Sequence, residues 1–363
     1  MQLLCIGDVA FADKSLSEDV WVAPGGVVPD ENLRVLFNWE LAMGDTKNPT
    51  PRSSGPRLLA HPDSWRVIER WSPGFAALAT NHILDAGEEG LAYTIESLNR
   101  AGFTTVGAGR TQEEITKPLF WETAEGRLAI VNWVFPETHP DWMAVPGPNC
   151  WPGLEGAKRT VQELRGRADW VLIVVHWSDE LFPYPRPEDR AVARQVAQMG
   201  ADLVVGHHPH VVRGMESINS CPVFYSIGNF HFSDFSDHRG VWIVQQAPRN
   251  REGLGVQVSF RRGRRPEYRV LSFWQTRRQV VLDPIRRADR RMAWVSRPLR
   301  RFQSSEYDEW YAVKRARFDR WWARWHFGVR RLGIRGLIRY VFQRSLSNSH
   351  DGLSLVGKGG ELE

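Results

Sequence analysis

The stretch "ADLVVGHHPHVV", residues 201–212, joins a short apolar run to three histidines within four positions, His207, His208 and His210. A run of four to six apolar residues, β-branched in part and closed by glycine, reads as a buried strand. The stretch is then either a strand that ends in metal-capable side chains or a histidine-rich polar turn. Five other runs share its form: LLCIGD (3–8), GFAALATNH (74–82), LAIVNWVF (128–135), WVLIVVHW (170–177) and CPVFYSIGNF (221–230). Helical periodicity lies between them. EEGLAYTIESLNRAG (88–102) sets Leu91, Ile95 and Leu98 on one face and closes at Gly102. RPEDRAVARQVAQMG (186–200) sets Val192, Val196 and Met199 inward and closes at Gly200. This alternation of strand and helix predicts an α/β fold with right-handed crossovers. From 241 to 275 the pattern changes to hairpins, with GLGVQVSF and EYRVLSFW flanking the basic turn RRGRR (261–265).

Composition bounds the rest. The 363 residues are 42% hydrophobic and 25% charged, which suits a packed globular chain of one large domain plus an appendage. The three cysteines, Cys5, Cys150 and Cys221, are far apart and form no CxxC pair, which predicts reduced thiols rather than a disulfide framework or a cysteine zinc site. The start, MQLLCIGDVAFAD, has no basic leader, and nowhere do 18 apolar residues run together, so the chain reads as cytoplasmic. The net charge of +5 hides an asymmetry. Residues 286–345 hold 17 Lys and Arg against 5 Asp and Glu, which leaves −7 on the remainder. We therefore expect a domain over 1–275, a basic Arg/Trp-rich helical extension over 276–345, and a disordered polar tail over 346–363.

Several apolar runs end in residues that bind metals or move protons. Asp8, Asn81 with His82, His176, and the histidines of GHHPH all lie at such ends. In an open α/β sheet, functional groups gather beyond the carboxyl ends of the strands. Singly, each has a plain structural reading: Asp8 and Asn81 as turn formers, His176 as a core histidine, Glu40 and Glu180 as solvated helix residues. Together they form a mixed nitrogen and oxygen set that suits zinc, manganese or iron better than calcium. Pro209 disfavours the helical region for His208, so we expect His208 extended, with His208 and His210 aimed together and His207 in a supporting role.

Seven stretches carry a further signal: IGDVAF (6–11), NWELA (38–42), ATNHILDAGEEGL (79–91), GFTTVGAGRTQEE (102–114), VVHWSDE (174–180), GADLVVGHHPHVVRGME (200–216) and VFYSIGNFHFSD (223–234). In this order, over about residues 1–235, they resemble the CapA family, capsule and poly-γ-glutamate biosynthesis proteins with a calcineurin-like metallophosphoesterase fold. The resemblance implies two β-sheets packed as a sandwich, flanked by helices, with a site at one edge. It implies one or two divalent ions (Mn, Zn or Fe) held by Asp8, Asn38, Asn81, His176, His208 and His210. His82, Glu180 and Glu40 take the catalytic roles, His82 as proton donor and the glutamates as ligand, base or orienting groups. Phosphoesterases of this fold usually carry histidine two residues after the first aspartate. Here that residue is Ala10, so one metal position is poorly furnished.

These readings predict a metal-dependent hydrolase or transferase of capsule or exopolymer synthesis, acting on a phosphoester or a γ-glutamyl-type amide. The alternative is a catalytically degenerate fold that binds the polymer or a synthase partner. In the extension, Phe318, Trp321, Trp322 and Trp325 recur at helical spacing with arginines on the other faces. That face could pack on the chain's own domain or make a peripheral membrane or synthase contact through 286–345. No groove-reading motif supports nucleic-acid binding.

Overall fold

The computed structural model describes residues 1–11, 33–44, 56–138, 145–236, 242–276 and 279–323. Its centre is the strand Gln2–Ala10, which lies parallel to Leu33–Trp39 and antiparallel to Glu252–Ser259. The first sheet runs Val280–Leu282, Glu267–Gln275, Glu252–Ser259, Gln2–Ala10, Leu33–Trp39, Gly74–Ala77, Phe103–Val106, and Asn229–Phe232 pairs beside Gln2–Ala10. The second sheet runs Met215–Ile218, Cys221–Phe224, Leu203–His207, Trp170–His176, Gly126–Val134, Leu119–Thr123.

Successive side chains of a strand point to opposite faces, and both faces of the first sheet are covered. Leu3 and Cys5 join Leu36, Leu172, Val174, Leu203, Val205 and Val256 in the core between the sheets. Leu4 and Ile6 face the other way, into a second core with Phe37, Leu91 and Leu98. Leu91 and Leu98 belong to the helix Gly87–Arg100, followed by Gly102 at φ +87°. The second sheet's strands carry the helices Gly153–Arg165 and Pro187–Met199, which bury Val161, Leu164, Ala193 and Val196. Val192 and Met199, expected inward, are half-buried. Gly200 closes the latter helix in the left-handed conformation, φ +113°, as its position predicts. The result is the helix-flanked two-sheet α/β sandwich that the family resemblance implies.

Two local expectations change. LRVLFNW, which has no clean alternation, is the strand Leu33–Trp39, so Glu40 follows a buried strand and is itself fully buried rather than a solvated helix residue. His208 is not extended: it sits at φ +91° and His210 at φ +55°, both left-handed. Pro209 disfavours the right-handed helical region for His208, and in the left-handed conformation its N–H donates to Asp8 Oδ2 at 3.4 Å. Residues 1–307 form one compact unit and Asp308–Glu363 another. The helices Arg287–Val295 and Arg297–Arg301 belong to the first, where Ala288, Met292, Val295, Leu299 and Tyr307 are buried. A helix occupies 304–323. Trp325 and the tail over 346–363 lie outside the described residues. No helix among the described residues is long and apolar enough to cross a membrane.

Candidate metal centre

The carboxyl ends of strands from both sheets meet at one place. Asp8 and Asn38 are neighbours in register on Gln2–Ala10 and Leu33–Trp39. His176 and His207 are opposite one another at the ends of Trp170–His176 and Leu203–His207. Glu40 and Asn81 follow Leu33–Trp39 and Gly74–Ala77, and His208 and His210 follow the second sheet's central strand.

The contacts are dense. Asn38 Nδ2 donates to Asp8 Oδ1 at 2.9 Å and lies 3.4 Å from His176 Nδ1. His176 Nε2 is 3.0 Å from Asn81 Oδ1 and 3.5 Å from Glu40 Oε1. His210 bridges the carboxylates, with Nδ1 3.4 Å from Asp8 Oδ2 and Nε2 3.4 Å from Glu40 Oε1. His208 Nδ1 is 4.0 Å from Glu40 Oε1, and its ring centre is 4.7 Å from that of His176. His207 Nδ1 lies 2.8 Å from Asp8 Oδ1, a contact that orients the carboxylate. Three triads have ligand atoms within 4.8 Å of one another: Glu40, His176 and His208; Asp8, Glu40 and His210; Glu180, His208 and His210. Glu180 reaches the last from an exposed position.

Burial sets the protonation. It pushes His176 well below the usual imidazole range against the pull of Asp8, and pushes His208 down with help from His176 and His210. Both are then neutral, with a lone pair to offer. Burial also disfavours charge on His210, but Glu40 and Asp8 outweigh it and raise its pKa to about 10. Burial opposes ionisation of Asp8 too, yet the hydrogen bonds from His207 and His210 hold it well below the carboxylate range. Glu40 moves the other way: burial raises it, His210 opposes, and Asp8, Glu180 and Asp85 add repulsion. Both groups are thus pushed toward their protonated forms, Glu40 by burial and His210 by the carboxylates of Glu40 and Asp8 around it.

Asn38 Oδ1, Glu40 Oε1 and His208 Nδ1 are buried and make no hydrogen bond among the described residues. Buried lone pairs without a partner are costly and uncommon. Nitrogen and oxygen ligands bind zinc-sized ions at ~2.0–2.2 Å, so two such atoms 4.0 Å apart can share one ion. The donor set therefore fits a divalent metal.

Other groups support the cluster. His82 is buried, with Nδ1 2.6 Å from Asp85 Oδ2, and Leu58 N–H donates to the same oxygen at 2.6 Å. Asn229, paired in register with Asp8, places Oδ1 3.0 Å from His210 Nδ1. Arg213 is fully buried; it donates through Nε to Phe182 O at 2.9 Å and through Nη2 to Asp179 O at 2.7 Å, and bonds Ser178 Oγ. It thereby fixes the segment that carries Glu180, in which Ser178 and Leu181 both have positive φ. Sequence reasoning singled out none of Asp85, Asn229 and Arg213. The spacing Asn-His-x-x-Asp at 81–85 was the available signal for Asp85, and the asparagine of "SIGNF" for Asn229. Burial raises the Cys5, Cys150 and Cys221 thiols, Cys221 to about 12.

A helix-flanked pair of sheets with a buried histidine, carboxylate and asparagine cluster at its strand ends defines an α/β protein with a candidate divalent-metal site. Residues 4–234 match the family described as bacterial capsule synthesis protein PGA_cap, and the chain belongs to that family. It is 26% identical over 204 residues to the capsule biosynthesis protein CapA of Bacillus anthracis, covering 54% of this chain and 49% of that protein. It is 30% identical over 181 residues to a probable polyglutamine synthesis accessory protein of Mycobacterium tuberculosis, covering 47% and 48%. The chain spans about half the length of the curated relatives it matches. Among solved structures, it is similar to a hypothetical protein from Thermus thermophilus (TM-score 0.46, 15% identity, 75% of this chain and 99% of that one). It is also similar to a 5'-nucleotidase precursor from the same organism (TM-score 0.42, 17% identity, 82% and 59%).

Proposed function

We propose that this chain is a metal-dependent hydrolase or transferase that makes or trims a cell-surface polymer, acting on a phosphoester or a γ-glutamyl-type amide. The observation that carries this reading is the buried cluster of Asp8, Asn38, Glu40, His176, His208 and His210, in which three lone-pair atoms lack partners. Asp8, Asn38, Asn81, His176, His208 and His210 would hold manganese, zinc or iron, with Glu40 between them. When bound, such an ion supplies an activated water and polarises the scissile oxygen.

The chain's own groups do the rest. His82 is anchored through Nδ1 on Asp85, and we assign it the proton handed to the leaving group, with Nε2 as the donating nitrogen. His207 and Asn229 hold Asp8 and His210 in place. Glu180, exposed at the rim, meets substrate from the solvent side as base or orienting group. An anionic polymer is the matching substrate class, since polarising a phosphoryl or amide oxygen is what the site offers.

A second reading has a specific observation behind it. Ala10 stands where phosphoesterases of this fold usually carry histidine, which favours a polymer-binding or synthase-partner role without turnover. A screen of phosphodiester and γ-glutamyl amide substrates with added manganese or zinc separates the two. We expect turnover in wild type and a loss of roughly 10²–10⁴-fold in His82→Ala, with metal content unchanged. Bound metal without turnover on any substrate supports the binding role, and no bound metal removes the enzymatic one.

A further inference from the structure

The helix over 304–323 carries a charge gradient and an aromatic knot that the metal chemistry does not use. Its first half holds Glu306, Asp308 and Glu309 and no cation; from 314 onward it holds Lys314, Arg315, Arg317 and Arg320 against Asp319 alone. Phe318 and Trp322 stack with ring centres 6.1 Å apart and planes 14° apart, and Trp321 lies 5.9 Å from Phe318. Trp321 is 53% exposed, and Arg317 and Arg320 are exposed beside it. At 3.6 residues per turn, Trp310, Lys314, Phe318, Trp321 and Trp322 share one face, and Arg315 and Arg317 flank it on either side. Lys314 Nζ sits 5.7 Å from the Trp310 ring, so its stem lies along the aromatic face. The chain then continues through 324–345 with six arginines and no acidic residue.

Tryptophan is favoured at the boundary between headgroups and acyl chains, because it has a large apolar body and an N–H that stays hydrated. Arginines flanking such a face meet lipid phosphates, and a basic segment is drawn to an anionic leaflet within a Debye length. Here the acidic half points the affinity to one end, so that the helix meets the surface through residues 314–323 first.

We propose that the basic, aromatic end of this helix, residues 314–323, docks the protein on the surface of an anionic lipid bilayer. The docking is peripheral: Phe318, Trp321 and Trp322 enter the headgroup boundary, and Arg317 and Arg320 contact lipid phosphates, while Arg315 pairs with Asp319 at 2.8 Å. It is independent of catalysis, and a chain that binds vesicles but no metal supports it equally.

The test is co-sedimentation of the full chain with vesicles of phosphatidylcholine containing phosphatidylglycerol, and with phosphatidylcholine alone. We expect binding to the anionic vesicles, weak binding to the neutral ones, and release by salt. Trp321→Ala with Trp322→Ala should weaken binding at least about tenfold, and Arg317→Glu with Arg320→Glu should do the same while changing only exposed side chains. Unchanged helix content and metal content in the charge-reversed chain separate lost docking from lost folding. Failure of the wild type to bind anionic vesicles overturns the proposal, as does equal binding by both variants. Binding of single-stranded nucleic acid, or self-association through this face, without vesicle binding also overturns it.

Discussion

Glu40 is the residue on which the site turns. It is a carboxyl group with no exposure, one oxygen without a hydrogen bond and three imidazoles within 4 Å, and burial drives it toward its protonated form. The sign of the resulting pH dependence follows. The pKa of His210 is raised from 6.5 to about 10 by Glu40 and Asp8, so the stability it contributes is fully present below 6.5 and lost as pH rises through about 10. Metal needs the same nitrogen unprotonated. The site's apparent affinity for manganese or zinc should therefore rise between these values, by about tenfold per pH unit for one displaced proton. Calorimetry in buffers of different ionisation heat should show that proton released; binding that is independent of pH and buffer would contradict a proton held on His210. His210→Ala should lower metal affinity by at least about 10-fold, read by metal content after dialysis. The candidate ligands were legible in sequence because aspartate, asparagine and histidine are unusual closers of apolar runs. Asp85, Asn229 and Arg213 were not, because each matters only through a partner that the fold supplies.

At the scale of the element, the strand Leu203–His207 and the turn after it show how little freedom the site leaves. A Cβ on Gly206 would lie 2.3 Å from Tyr225 O and 2.7 Å from Trp177 Nε1, an atom that itself donates to Tyr225 O at 3.0 Å. The glycine of GHHPH thus lets two backbones approach closely, which aims His207 at Asp8 and the next turn at Glu40. Gly206→Ala should cost roughly 1–3 kcal/mol and weaken metal binding, seen together in chemical denaturation and metal content. A variant with wild-type stability would show that this strand can shift without harm. Buried strands were legible at 3–8, 170–177 and 201–208 because uninterrupted β-branched runs have few other uses. The strand Leu33–Trp39 was not, because Arg34 and Asn38 break its apolar pattern, Asn38 for the sake of the site. The same conflict recurs at His208, where the φ of +91° departs from the extended state that a following proline favours.

For the whole molecule, a metal bound at the candidate site would be linked to stability. The ligands come from both sheets, so an ion bound to the native cluster has no equivalent in the unfolded chain. Manganese or zinc at a hundredfold excess over its dissociation constant should stabilise the unit Met1–Tyr307 by about 2.7 kcal/mol. The measurement is a melting temperature that rises on adding metal and falls back with chelator. A melting temperature indifferent to both would place the binding elsewhere.

Composition, strand and helix alternation, the basic block at 286–345 and the ligand types at strand ends all follow from local periodicity and residue chemistry, which one sequence carries. The burial of Glu40, the division of the strands between two sheets, the meeting of His176 with Glu40 and of His207 with Asp8, and the absorption of residues 287–307 into the first unit do not. They depend on pairings between residues far apart in sequence, such as His207 with Asp8, 199 positions away, and Gln2 with Ser259 in the first sheet. Such pairings are set by which apolar faces bury against each other, an outcome of the whole chain's packing rather than of any segment in it.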